Sequence, residues 1–438
     1  MDSNAEEQSF NQGLLDFISS SPTPFHAVST IIERISSHGY QQLDETEKWS
    51  LSPNQGYWTT RNGSSIVVFH TGQDLAFENG IRMVGAHTDS PCLKIKPEPE
   101  LKGHGCQRLA AEVYGGVLLA PWFDRDLSLA GRVTYRTADD DISSMLIDFE
   151  APIAQVPSLA IHLDRGANDD RKINRQKELN LVLATSDEQL NFKALLEECV
   201  GKIHAGKIEI LDHEIYAYDT QAPAIRGLNQ DFIVSARLDN LLSCYIGLEA
   251  LLASDNTEPK LLVCNDHEEV GSQSACGAQG PFLQDVIDRL CGSGEQQKQV
   301  LAKSMMISAD NAHAIHPNFP EKHDANHGPK LNAGPVIKVN ATQRYATTSE
   351  TSALFKHFAQ EVSAPVQSFV SRNDTRCGST IGPIVSAELG VATIDVGCPQ
   401  WGMHSIRETA GTKDAAALKA ILAHFYSYSK SLRVDQAS

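Results

Sequence analysis

The 438-residue sequence lacks an export leader, a membrane-length apolar run and any cysteine pattern that would staple it. Its first ten residues, MDSNAEEQSF, are acidic and polar, without the basic-then-apolar order of a secretory or organellar signal. No apolar run approaches the roughly 20 residues of a spanning helix. The nine cysteines are odd in number, and no two are spaced as CxxC. That excludes a cysteine-type zinc site and argues for reduced, mostly core thiols in an intracellular protein. Positive charge is also short: 37 Lys and Arg against 55 Asp and Glu leave a formal charge of −18. A polyanionic partner, whether nucleic acid or an anionic membrane, is therefore not expected. An acidic small molecule would need a local cation to hold it. Neither an internal repeat nor a low-complexity tract is present. A cytoplasmic enzyme is the default expectation.

What the sequence does contain is an α/β rhythm, interrupted once. Apolar content of 41% is ordinary for a globular chain, and the length suggests two or three domains. A short helix begins near Leu14–Ile18. From His26, apolar residues Val28, Ile31, Ile32 and Ile35 fall at helical spacing up to a stop at Gly39. Strands are expected at Trp58–Thr60 and Ile66–Phe69, around an Arg61-Asn62-Gly63 turn, and at Ile81–Ala86. Between about Lys94 and Ala224 the texture changes to short β-like runs, with one clear helix around Glu188–Val200. The α/β rhythm then returns with Phe232–Val234, Leu261–Cys264, Met305–Ala309, Val336–Val339 and Val391–Val396. These features predict a discontinuous α/β domain over residues 1–94 and 226–438, with a mostly parallel central sheet flanked by helices. Residues 95–225 form an inserted β-rich domain.

The stretch LLVCNDHEEVGS, Leu261 to Ser272, is the focus of the chain. An apolar run ends abruptly in two adjacent carboxylates, Glu268 and Glu269. In an open α/β sheet, ligands bind beyond the strand ends. His87, Asp239, Asp310 and His404 also lie within a few residues of the ends of expected strands. Taken singly, each is more often a turn residue, a cap or a structural histidine; six at equivalent topological places are not. Two His with three or four carboxylates suit a pair of divalent cations such as Zn²⁺, which accepts N and O ligands. One carboxylate of the Glu268–Glu269 pair would remain to take a proton from a bridging water as general base. In His87-Thr88-Asp89, residues two apart on extended chain point the same way, so Asp89 is a candidate to hold the far ring nitrogen of His87.

The motifs SPTPFHAV (Ser21–Val28), AHTDSP (Ala86–Pro91), WFDRDLSLAGRV (Trp122–Val133), SARLDN (Ser235–Asn240), DHEEVGS (Asp266–Ser272), SADNAHA (Ser308–Ala314) and GMHSIRE (Gly402–Glu408) closely resemble, in order, those of the aspartyl aminopeptidases. The resemblance covers nearly the whole chain. It implies the co-catalytic zinc-peptidase fold with an inserted dimerisation domain. It also implies two zinc ions, one held by His87, Asp239 and Asp310 and the other by Asp239, Glu269 and His404, with Asp239 bridging and Glu268 as base. Lys338, Tyr345 and His313 match substrate-contacting positions, and a single lysine there would supply the cation that removal of N-terminal Asp or Glu requires. His162, in AIHLDR, matches a histidine lent to a neighbouring subunit, within dimers that build a tetrahedral dodecamer. One departure is the run Val117–Pro121, where the family usually has aromatic and His residues after its glycines. The start of the chain does not resemble the long propeptide of some vacuolar relatives, which favours cytoplasm.

Two other readings fit the ligand order: a dinuclear-zinc carboxypeptidase or deacylase, and a catalytically silent assembly protein. Lys338 counts against the first, and the intact ligand and base positions against the second.

Overall fold

The computed structural model describes residues 3–75, 77–204 and 206–434. The chain divides into two compact units. The larger takes residues 1–89, 223–403 and 408–438; the smaller takes 90–222 together with 404–407. The smaller unit thus begins earlier than the expected residue 95. Its first strand, Cys92–Leu101, is already paired through Cys92↔Tyr114 with the next. The return of His404–Arg407 to this unit was not anticipated at all. Among the described residues, no helix is long and apolar enough to cross a membrane.

The larger unit is built on a nine-stranded sheet. Its spatial order is Gln41–Gln42, Gly56–Arg61, Ser65–His70, Lys260–Asn265, Arg82–His87, Met305–Ala309, Ala392–Gly397, Val336–Val339 and Gln367–Val370. The four strands from Lys260–Asn265 to Ala392–Gly397 are mutually parallel. They read as continuous apolar runs because both faces are covered. Ile66, Val68, Val84 and Leu262 pack on one face, against helices Ser3–Ser19, Leu238–Ala253 and Asp414–Ser427, through Leu14, Phe17, Leu241, Leu248, Leu418 and Phe425. Their neighbours Val67, Phe69, Met83, Leu261 and Val263 point the other way. There they meet Phe282, Val286 and Ile287 of helix Phe282–Cys291. This two-residue alternation places the sheet between two helical layers.

Local chemistry sets several boundaries. The helix expected from His26 begins at Pro24, where Thr23 accepts the His26 N–H and Pro24 fills the first turn, and it ends at Ser36. The Leu14–Ile18 signal is the apolar end of a longer helix, Ser3–Ser19. A third sheet, of five short strands, was not legible: Ala224–Arg226, Phe232–Ser235, Glu408–Gly411, Pro399–Trp401 and Ala312–His313. It belongs to the larger unit and delivers Asp239.

The smaller unit is a six-stranded antiparallel sheet, ordered Ile142–Asp148, Leu127–Thr137, Ile208–Asp219, Cys92–Leu101, Cys106–Tyr114 and Leu181–Thr185. Among the described residues its α-helix is Phe192–Gly201, which starts later than the expected Glu188 because Asn191 caps it by accepting the Ala194 N–H at 3.0 Å. Phe192, Leu196 and Val200 close the core over Leu109, Leu129 and Ile215.

Lys260 gives a stability test remote from the site. Its ammonium is buried at the start of a central strand, where it donates to the carbonyls of Leu251, Ser254 and Asp255 at 2.9, 3.1 and 2.9 Å. Leu251 lies in the last turn of helix Leu238–Ala253 and Ser254 is its C-cap, so their carbonyls are acceptors that the helix leaves open. Burial pulls its pKa down to about 8, with Asp255 opposing. Lys260→Met removes all three donations, although the Leu251 carbonyl keeps the Ser254 hydroxyl at 2.9 Å and Asp255 is exposed. It is expected to cost about 1–3 kcal/mol, read as a lower denaturant midpoint at unchanged slope.

Candidate active site

Three parallel neighbours bring most of the site together. Asn265 is the register partner of His87, and Ser308 that of Gly85, so the carboxyl ends of these strands lie side by side. His87 closes its own strand. Glu268 and Glu269 follow Asn265 on a 3₁₀ turn flanked by His267 and Gly271, both with left-handed φ (66° and 100°). Asp310 follows Ala309, its N–H donating to the Val396 carbonyl at 2.9 Å. The Asp310 backbone passes so close to Gly397 that a Cβ there would overlap the Asp310 carbonyl, which accounts for glycine at the end of that strand.

Asp239 arrives differently from expectation. The strand before it lies in the small third sheet, not the central one. There Phe232–Ser235 pairs antiparallel with Glu408–Gly411 through Ser235↔Glu408. Glu408 accepts the Asp239 N–H at 3.0 Å, and Asn240 donates to the Ala309 carbonyl at 2.9 Å. Helix Leu238–Ala253 therefore opens with Asp239 turned out of helical geometry (φ −84°, ψ 104°).

The result is a dense acidic cluster around one imidazole. His87 Nε2 lies 3.4 Å from Asp239 Oδ1 and 3.9 Å from Asp310 Oδ1. Ligand atoms of His87, Asp239 and Glu269 all fall within 4.8 Å of one another. His87, Asp239 and Asp310 are 2, 3 and 8% exposed. On the far side of the ring, Nδ1 is 3.1 Å from the Asp89 carbonyl oxygen and 3.4 Å from its carboxylate. The same carboxylate accepts the backbone N–H groups of Glu268 at 3.1 Å and Glu269 at 3.0 Å. Asp89 thus fixes the imidazole and the two-glutamate turn at once.

Electrostatics identify what the cluster suits. Burial pushes the Glu268 carboxyl up to about 8, against the pull of His87 and with the repulsion of Asp310, Asp89 and Asp239. Burial and Asp239 raise Glu269 well above the carboxylate range. Burial alone would lower His87, but Asp239, Asp310 and Asp89 hold it well above its ordinary value. Buried carboxylates in this number demand positive charge, and one imidazole nitrogen with several carboxylate oxygens is a donor set suited to zinc. The residues fit a divalent metal.

Lys338 stands beside this cluster, 3% exposed, with Nζ 3.6 Å from Asp310 Oδ2 and 5.5 Å from the centre of the Tyr345 ring. Burial, then Cys377, raises the Tyr345 hydroxyl, which stays protonated. Asp395 secures the segment behind Tyr345, accepting the Ala346 N–H at 2.6 Å. His313 lies on strand Ala312–His313, its ring edge-on to Phe369 with centroids 6.0 Å apart. His404 and His162 belong to the smaller unit. His404 has left-handed φ (68°), and its Nδ1 is 3.1 Å from the Gly116 carbonyl oxygen. His162 is exposed on a turn whose Ile161 and Leu163 are exposed too.

Two contributors have no role in the sequence-based expectation: Glu408 ends the GMHSIRE motif, and Asp395 interrupts an apolar strand, a signal in itself. Asp266, His267 and Cys276 also have ligand-type atoms within 4.8 Å of one another. There the hydrogen bond to Cys276 raises His267 to about 9 despite burial.

Residues 17–426 match the family model described as aminopeptidase I zinc metalloprotease (M18). A probable M18 family aminopeptidase 2 of Pseudomonas fluorescens (strain SBW25) is 56% identical over 422 residues, covering 96% of this chain and 98% of the relative. Among solved structures, one described as the cryo-EM structure of the Ape4 and Nbr1 complex matches at TM-score 0.94 and 36% identity, covering 97% of this chain and 87% of that one. The S. cerevisiae mApe1 dodecamer matches at TM-score 0.83 and 28% identity, covering 95% and 96%.

Proposed function

Because this chain belongs to the M18 family of zinc aminopeptidases, we propose that it releases N-terminal aspartate or glutamate from peptides. The observation that carries this reading is Lys338, a buried ammonium beside the acidic cluster in a chain of charge −18. With Tyr345 and His313 it would receive the side-chain carboxylate of the first residue, a desolvated charge pair that neutral residues cannot form. Two metal ions would be held by His87, Asp239 and Asp310 and by Asp239, Glu269 and His404. The assignment of His404 rests on the sequence resemblance. When bound, such ions supply Lewis-acid polarisation of the scissile carbonyl and activation of water. Glu268 is the proton carrier: it sits beside Glu269 on a turn held by Asp89, placed to take a proton from water and return it to the leaving amine. Asp89 keeps Glu268 and His87 in register.

The family's self-association, as in the S. cerevisiae mApe1 dodecamer, supports the reading that this chain works as dimers assembled to a tetrahedral dodecamer, with His162 reaching a neighbouring subunit. Exposed Leu159, Ile161 and Leu163 beside it are the kind of surface a partner covers. Short or unfolded peptides in the cytoplasm are the substrates this implies.

A panel of peptides differing only in the first residue tests the specificity. Asp- and Glu-initiated members are expected to be cleaved at least tenfold faster than Ala-, Leu- or Lys-initiated ones; equal or reversed rates would overturn the reading, as would cleavage of N-terminally blocked peptides.

A further inference from the structure

Beside the Lys338 strand the larger unit carries a second cationic feature, of which the reading above uses only His313. A cavity of about 290 Å³ is lined by His313, His316, Lys322, His323, Arg372 and Arg376. In a chain with 18 more Asp and Glu than Lys and Arg, three permanent cations, Lys322, Arg372 and Arg376, set among three imidazoles around one cavity run against the overall balance. Its other walls include Phe369 and Trp401, and no Asp or Glu lines it. Some of the positive charge is already matched. Arg372 is bidentate to Asp374, at 2.8 and 2.6 Å, and donates to the Glu321 carbonyl at 2.7 Å. Lys322 and Arg376, both exposed, make no side-chain hydrogen bond or close ion pair among the described residues, although the Lys322 charge also acts on the Asp374 carboxylate. Two cations without a hydrogen-bonded carboxylate of their own, Lys322 and Arg376, beside a third held by Asp374, make a receptor for an oxyanion, and Arg presents the fork that carboxylates accept.

The cavity adjoins the proposed position of the substrate. Phe369, one of its walls, is the register partner of Lys338 on the neighbouring parallel strand. Phe369 also packs with Tyr345 in one small apolar cluster. His313 lines the cavity and stands edge-on to Phe369. A peptide whose first carboxylate meets Lys338 therefore has this basic cavity next to it.

We propose that the cavity is a second anion subsite, which takes a carboxylate farther along the peptide: the free C-terminus of a short peptide or an acidic side chain after the first residue. This rests on the aminopeptidase reading, with Lys338 recognising the first residue. The enzyme would then favour short, doubly acidic peptides over neutral-tailed ones.

The test compares three tetrapeptides with the same N-terminal Asp: a C-terminal amide, the free acid, and an amide with Glu at the third position. The same three are made with N-terminal Ala. For the unaltered full-length protein, kcat/KM is expected to be about tenfold higher for one or both carboxylate-bearing peptides than for the amide, a preference that shrinks as salt rises. Which of the two gains identifies the source of the carboxylate. Arg376→Gln and Lys322→Gln should each reduce that ratio about threefold, and the double variant should bring it near one. A ratio that stays unchanged in the double variant overturns the subsite, as does a ratio near one in the unaltered protein at low salt. Should the double variant not fold, the salt dependence and the single variants decide. The acidic-N-terminus reading fails separately, if the Ala series is cleaved as fast as the Asp series; the tail ratio is then read in the Ala series.

Discussion

Glu268→Gln is expected to lower kcat on an Asp-initiated peptide by roughly 10²–10⁴-fold, the range that a positioned acid–base group supplies. KM should change little, because Glu268 is not assigned to binding. The substitution keeps the side chain's size and its place on the turn. That turn is held by backbone N–H groups donating to Asp89, which Gln does not disturb. What disappears is the titratable proton. In the structure the Glu268 carboxyl is lifted to about 8 by burial and by Asp310, Asp89 and Asp239. A carboxylate at this position can take up a proton and give it back, whereas an amide cannot. Metal content should be the same as in the unaltered protein. A variant with full metal and unchanged kcat would remove Glu268 from the chemistry.

Lys338→Met should produce the second large effect, on specificity. The ammonium is buried, with Asp310 as a neighbouring carboxylate and the Tyr345 ring against it. Removing one member of a buried charge pair costs about 2–5 kcal/mol. For an Asp-initiated peptide this corresponds to a drop in kcat/KM of roughly 30- to 4000-fold. Met fills similar space without charge, so an Ala-initiated peptide should lose far less. The ratio of Asp to Ala cleavage is therefore the quantity to follow. If both substrates fall equally, Lys338 supports the fold or the acidic cluster and is not the selector.

Legibility in the sequence followed burial. His87, Glu268, Glu269 and Asp310 were readable because the strands before them are apolar on both faces and end sharply in polar residues. Asp239 was placed by motif and not by fold. The strand feeding it has four residues in a small sheet of short pairings, too brief to show a period. Helix Ile381–Leu389 was silent for another reason: Gly382 and Pro383 sit in its first turn and read as a turn signal. The division of labour between Glu268 and Glu269 was not contained in their spacing. The structure adds a physical asymmetry: the set of mutually close ligand atoms includes Glu269 with His87 and Asp239. Asp89 was expected to hold the His87 ring; its second task, gripping the backbone of both glutamates, depends on a contact across some 180 residues that no local pattern encodes.

A metal-dependent site in this chain is expected to remove acidic N-terminal residues. The most direct measurement pairs metal content per subunit with cleavage of an Asp-initiated peptide, before chelation, after it, and after zinc is restored. The expected result is about two divalent ions per subunit, activity that disappears with them, and activity that returns with zinc. Cleavage that persists in protein stripped of metal would contradict the account.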